Sequence, residues 1–295
     1  MGIGAIFKGG KALKLQKKGQ KEEAIRIYEE AFAEGLNDPR YLLPYALLII
    51  RDGQYQKAKD FLVAHQKAPG MTPQQRVELM VYYATCCFRL GNVDKGVSTL
   101  EQQFRKTETG LIYQTLGYLY VEQLDQARKP ELDYAAILAG EPAEAPAQAG
   151  EPAPAEETAA AGEDKPAGEA QTAEAEPTPE EAWNAGRKKA EAFIRKSLDY
   201  DDEDAICLDN MGQFVYRVLG DRAAAKDWFD KAIAIKASQI DTLWFLSRYD
   251  EEAGNLQGAL EKLEEAAEGR FSPLNYCSRE MVQQEIARLK GEKEA

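Results

Sequence analysis

The side chains that most often carry chemistry are scarce in this chain. His65 is the only histidine among 295 residues. A paired-histidine metal site or a histidine relay therefore lacks its second member. The four cysteines, Cys86, Cys87, Cys207 and Cys277, show no C-x-x-C spacing. Cys86 and Cys87 lie side by side in the apolar stretch YYATCCF, where small thiols pack as hydrophobes. A reactive or metal-binding role for them is the second reading. No constellation of nucleophile, base and orienting group is legible, so the sequence predicts a protein that is not an enzyme and takes no cofactor. Charge excludes a further class. Lys and Arg number 37 against 50 Asp and Glu, a formal −13, whereas a nucleic-acid binder of the usual kind carries a basic excess. With no secretory apolar core and no apolar run of about 18 residues, the expectation is a soluble cytoplasmic protein with reduced thiols.

Cations at recurring places are what remains. Lys17, Arg51 and Arg89 each stand two residues before a glycine (Gly19, Gly53, Gly91), and Arg217 stands three before Gly220. Turned inward, such a row would suit the carboxylates of an acidic peptide, with arginine offering bidentate contacts. The same placement has a plainer cause: cations in the last turn of a helix are favoured by its dipole, by about 0.3 to 1 kcal/mol each. The sequence leaves both readings open.

Those glycines belong to a longer register. Gly19 to Gly53 and Gly220 to Gly254 are each 34 residues apart, and Gly91 falls between them. The segments GQKEEAIRIYEEAF, GQYQKAKDFLVAHQ, GNVDKGVSTLEQQF, GDRAAAKDWFDKAI and GNLQGALEKLEEAA superimpose on them. Five residues after each glycine comes a small residue (Ala24, Ala58, Gly96, Ala225, Ala259). Four later comes a large one (Tyr28, Leu62, Leu100, Phe229, Leu263). This is the pattern of antiparallel helix pairs: the glycine ends one helix, the small residue admits the next, and the large residue fills the space between them. A single pair cannot bury its apolar face, but a stack can.

The recurring pattern resembles the tetratricopeptide repeat family, with its best matches in the unit ending at Leu36 and the unit Leu208 to Ile233, which holds Gly212, Gly220, Ala225, Phe229 and Ala232. The resemblance implies an all-α superhelical solenoid of about six helix pairs. Three departures stand out. Gly96 replaces the usual alanine, one extra residue precedes the turn at Gly220, and Lys8 and Lys11 occupy places where the first helix should be apolar. The resemblance further implies a concave groove, lined by the first helix of each pair, that binds an extended peptide or a partner helix. The register puts Leu43, Leu47, Ile50, Val81, Thr85 and Phe88 there, then Gln114, Tyr118 and Val121, then Asp209, Gln213, Tyr216, Trp244 and Arg248. The candidate binding residues are accordingly Arg51, Arg89, Arg217, Leu47, Phe88, Tyr118, Tyr216, Trp244 and Arg248. The Lys/Asn carboxylate clamp of chaperone-binding members has Gly9 and Leu13 at the matching places of the first unit, so that activity is not carried over.

The fourth pair is interrupted. GLIYQTLGYLYVEQL reads as its first helix, and AWNAGRKKAEAFIRKSLDY as its second. Between them, residues 140–179 hold seven prolines, 13 alanines, nine glutamates and Asp164 against Lys165 alone, with no Val, Ile, Leu, Met or aromatic residue. Such a stretch cannot bury enough apolar area to order itself, and its style suggests a bacterial source. Thr178, Pro179 and Glu181 then write a helix start as a capping box. The expected organisation is N-terminal repeats over 1–139, a disordered acidic insertion over 140–179, further repeats over 180–272 and a capping helix and tail over 273–295. Residues 1–21, with six lysines and no acid, read first as a repeat helix. The second reading is a basic amphipathic segment on an anionic membrane, which would make the protein a membrane-surface or envelope-assembly adaptor.

Overall fold

A computed structural model describes residues 2–127 and 177–291. Among them run thirteen helices and no strand: α1 (Ile3–Lys17), α2 (Lys21–Ala33), α3 (Pro39–Arg51), α4 (Tyr55–His65), α5 (Pro73–Arg89), α6 (Val93–Phe104), α7 (Gly110–Ala127), α8 (Pro179–Tyr200), α9 (Ala205–Gln213), α10 (Arg222–Ile235), α11 (Ile240–Glu252), α12 (Leu256–Glu268) and α13 (Arg279–Lys290). They pack as successive antiparallel pairs, α1/α2 through α11/α12, with α13 closing the end. The described residues thus form an all-α solenoid of six helix pairs. None of the described helices is long and apolar enough to cross a membrane.

The turn glycines do what the register requires. Gly19, Gly53, Gly91, Gly220 and Gly254 all adopt the left-handed conformation, with φ of 76°, 78°, 79°, 72° and 77°. Each lets the chain fold back so that a following N–H reaches a carbonyl near the helix end, as from Gln20 to Leu15 (3.1 Å) and Gln54 to Ile49 (2.9 Å). The extra residue before Gly220 is absorbed by a π-helical turn over Phe214–Val218 that continues α9. There Leu219 N–H bonds to the Phe214 carbonyl at 3.1 Å, so the turn glycine keeps its place in the stack.

Behind each glycine, Ala24, Ala58, Ala225 and Ala259 are fully buried, as are Tyr28, Leu62, Leu100 and Phe229 four residues later. Gly96 stands in the alanine series because a Cβ there would lie 3.0 Å from the Ala84 carbonyl oxygen. In the first pair the inward face of α1 is made of Ala5, Gly9 and Ala12, all buried. A Cβ on Gly9 would come within 2.9 Å of the Leu36 side chain and 3.0 Å of the Tyr41 ring. Lys8 does not disturb this packing, because its ammonium turns outward to Glu34 (2.5 Å) and Glu30 (3.4 Å).

The fourth pair joins α7 to α8. Phe193 of α8 sets its ring among Phe104, Tyr113 and Tyr120 at centroid distances of 5.0, 5.3 and 5.4 Å. Lys196 reaches Glu108 at 2.8 Å and Lys189 reaches Glu101 at 2.5 Å. α8 begins with the expected capping box: Thr178 accepts from Glu181 N–H at 3.3 Å, and the Glu181 carboxylate accepts from Thr178 N–H at 2.9 Å. The α9 helix continues the stack, donating from the Asn210 amide to the Gln114 carbonyl at 2.8 Å. Residues 128–139 and the acidic stretch through residue 176 lie outside the described residues. At the far end, α13 is capped by Ser278 and buries Val282. Ion pairs tie it to the last pair of helices, Arg288 to Glu251 of α11 at 2.7 Å and Lys290 to Glu264 of α12 at 2.8 Å.

Candidate functional site

First helices from five of the six pairs, with the loop after α12, enclose a cavity of about 460 Å³. Leu47, Thr85 and Tyr118 occupy equivalent places on α3, α5 and α7 and line one side of it. Ile206 of α9, Ile240 of α11 and Leu274 of the loop after α12 line it further along. Apolar side chains make up most of the exposed lining, and the polar groups among them include Asp209 and Asp241 of the helices and Lys236 and Arg270 beside the connecting loops.

The two acids are buried. Asp209 of α9 is 2% exposed; its two oxygens accept from the Thr242 hydroxyl (2.6 Å) and the Gln213 amide (2.7 Å). Burial, then the nearby Asp241, raise its pKa to about 7, against the pull of those two hydrogen bonds. Asp241 of α11 holds the loop before α13, accepting from the Asn275 amide (3.0 Å) and the backbone N–H of Tyr276 (3.0 Å) and Cys277 (3.2 Å). Burial raises its pKa as well.

The raised pKa of Asp209 means that the folded state binds its proton more tightly than the unfolded chain does. Its contribution to stability is therefore full near pH 4 and is lost as pH rises through about 7. In paired thermal melts of the wild type and Asp209→Asn, the wild type should lose ground to the variant between about pH 4 and pH 8. A constant difference across that range would show that Asp209 does not titrate there.

The expected binding residues do not face a single space. Leu47 and Tyr118 line the cavity. Phe88 is half-buried and packs edge-on against the Tyr118 ring at 5.7 Å. Tyr216 is buried against Phe245 at 5.0 Å, within the packing of α9, α10 and α11, and does not line the cavity. Trp244 is buried under the Arg248 guanidinium at 4.2 Å, and Arg248 pairs with Glu285 of the capping helix at 3.1 Å. Arg51 and Arg89 are exposed in the last turns of α3 and α5 and lie outside the cavity lining. Arg89 lies over the Tyr55 ring at 5.5 Å.

Arg217 requires a correction. It is only 6% exposed and already holds carboxylates of its own chain, Glu122 at 2.7 Å and Asp125 at 2.8 Å, while donating to Gln213 at 2.9 Å and lying 4.2 Å over the Tyr276 ring. Burial opposes its charge, but the two carboxylates outweigh burial and hold its pKa above the ordinary value. A buried guanidinium with two internal partners is not available to an external acid. The row of cations is thus reduced to Lys17, Arg51 and Arg89, exposed in last-turn positions that the helix dipole favours.

The remaining chemistry-bearing residues are structural. Cys86 and Cys207 are buried and their thiols are pushed up to about 12, chiefly by desolvation, which keeps them protonated. The His65 ring sits edge-on to Phe32 at 5.6 Å, and its Nδ1 bonds the Phe61 carbonyl at 2.8 Å. Among the described residues no group of three His, Cys, Asp or Glu is placed to hold a metal ion. The register placed Asp209 in the groove, but the Asp209–Asp241 pair and its link through Gln213 to Arg217 went unread. The one signal in the sequence was an aspartate among the largely apolar residues of each of two helices, CLDNMGQF and IDTLWFL.

Comparison with known proteins agrees with this architecture. Residues 17–103 match the family model described as anaphase-promoting complex, cyclosome, subunit 3. No curated protein sequence matches the chain. Among solved structures, a thermophilic TPR protein of Thermus thermophilus is 14% identical with a TM-score of 0.56, covering 86% of this chain and 99% of that one. PilW, a widely conserved type IV pilus biogenesis factor, is 12% identical with a TM-score of 0.54, covering 93% and 98%. The human IFIT1 dimer with m7Gppp-AAAA is 13% identical with a TM-score of 0.54, covering 90% of this chain and 48% of that one. At such identities the likeness is one of fold.

Proposed function

We propose, from the premise that the chain is a tetratricopeptide-repeat solenoid, that it is a non-catalytic scaffold whose groove between the first helices binds a peptide or a partner helix. The fold itself generally serves protein–protein interaction. The observation that carries the finer reading is the cavity of about 460 Å³, lined by apolar residues from separate repeats and by the hydrogen-bonded Asp209 and Asp241. Apolar walls supply burial on binding, and a few placed polar groups supply orientation. Placing the site there makes Leu47 and Tyr118 contact residues and leaves Tyr216, Trp244 and Arg248 to hold the walls in position. Arg51 and Arg89 remain at the ends of two wall helices, where they would meet carboxylates flanking the bound segment.

A photo-crosslinking residue at Tyr82 or Leu111, both on the cavity wall, tests the reading against one at Leu256, which is 53% exposed at the start of α12. Adducts with one common protein from the two wall positions, and none at Leu256, are expected. Equal yield at Leu256 would place the contact surface outside the groove.

A further inference from the structure

Two readings of residues 1–21 competed in the sequence, a repeat helix and a membrane-surface helix. In the fold they occupy opposite faces of α1. The inward face, Ala5, Gly9 and Ala12, is consumed by packing. Outward, Ile3, Phe7, Lys11, Lys14 and Lys18 follow at intervals of four, four, three and four, which places them along one stripe. Ile3 is 89% exposed and Phe7 76%, more than any other large hydrophobic among the described residues. Lys8 and Lys21 are paired with carboxylates, whereas Lys11, Lys14, Lys17 and Lys18 make no ion pair among the described residues.

We infer that this outward face of α1 docks on an anionic membrane surface, with Ile3 and Phe7 entering the headgroup–acyl boundary and the lysines meeting lipid phosphates. Charge complementarity favours that occupant. Lysines held in no hydrogen-bond network make a diffuse positive field, which suits a fluid anionic surface better than the fixed carboxylates of a folded partner. Long lysine stems also let the ammonium groups reach headgroups while the helix lies in the interface. The formal −13 of the whole chain opposes adsorption in general, so this basic end is the one drawn to such a surface. The face is separate from the groove, which stays open to its own ligand.

Co-sedimentation of the full chain with vesicles tests the inference. The protein should pellet at low salt with mixed phosphatidylglycerol and phosphatidylcholine vesicles, and stay in solution with phosphatidylcholine alone. Ile3→Ser with Phe7→Ser should weaken binding about tenfold or more, and Lys11→Glu with Lys14→Glu by a similar factor. Neither variant should shift the melting curve, since all four side chains lie on the outward stripe. Failure of the full chain to pellet would overturn the inference. So would retention of binding by the Ile3/Phe7 variant, which would reduce the effect to unspecific charge attraction. A concentration-dependent dimer in light scattering, abolished by the same variant, would give the face to a second copy instead.

Discussion

Arg217→Met lowers the stability of the fold by about 3 to 5 kcal/mol, read as a fall in the urea midpoint at neutral pH. Methionine keeps much of the apolar stem, so the loss is chiefly electrostatic. Glu122, 9% exposed, and the Gln213 carbonyl oxygen are left without their buried donor, and Asp125 loses its cation. An uncompensated carboxylate at that depth costs more than the pair ever contributed. The size of the effect also reflects position, because Arg217 ties α9 to α7, 95 residues earlier in the chain. A second substitution separates the causes. Arg217→Met with Glu122→Met should recover a large part of the loss, since the orphaned charge is gone. A cost below about 1 kcal/mol for Arg217→Met alone would mean that water reaches the pair and screens it.

Phe229→Ala costs a similar amount, about 3 to 5 kcal/mol, for a different reason. The ring is fully buried, stacks on Phe245 at 4.9 Å with planes 7° apart, and fills the space left by Gly212. Its removal opens a cavity between α9, α10 and α11 that helices fixed by neighbours on both sides cannot close. The mirror experiment is Gly212→Ala, whose Cβ would lie 2.6 Å from the ring edge. Overpacking of that kind costs about 1 to 3 kcal/mol. Because both changes act on one contact, Gly212→Ala combined with Phe229→Leu should cost less than the sum of the two singles. Additive costs would show that Gly212 and Phe229 are energetically independent despite their contact.

The parts of this fold that are periodic or local were legible in the sequence. The turn glycines, the small and large residues behind them and the capping box at Thr178 each express a requirement felt within a few residues of the chain. The π-helical turn at Phe214–Val218 showed only as a surplus residue, which a register can count but cannot place. What escaped were interactions set by tertiary proximity. Nothing near Arg217 in the sequence announces Glu122 or Asp125, and its helix-end position gave the same signal as that of Arg51 and Arg89. The aromatic candidates divided for a related reason. Adjacent residues on a helix point about 100° apart, so a small error in register exchanges a wall residue such as Tyr118 for an interhelical one such as Tyr216. Lys8 and Lys11 illustrate the converse: they looked out of place until Gly9 and Ala12 were seen to supply the inward face.

The joint between α7 and α8 alters how the solenoid handles cooperativity. In a stack of nearest neighbours, stability passes from unit to unit through each interface, and here one unit is assembled from halves separated in the sequence by residues 128–178. What joins the halves lies among the described residues, in the aromatic cluster around Phe193 and the ion pairs of Lys189 and Lys196. The array can therefore act as one cooperative body across the break, because the interface on which the fourth unit depends is made by side chains of the helices on either side of it.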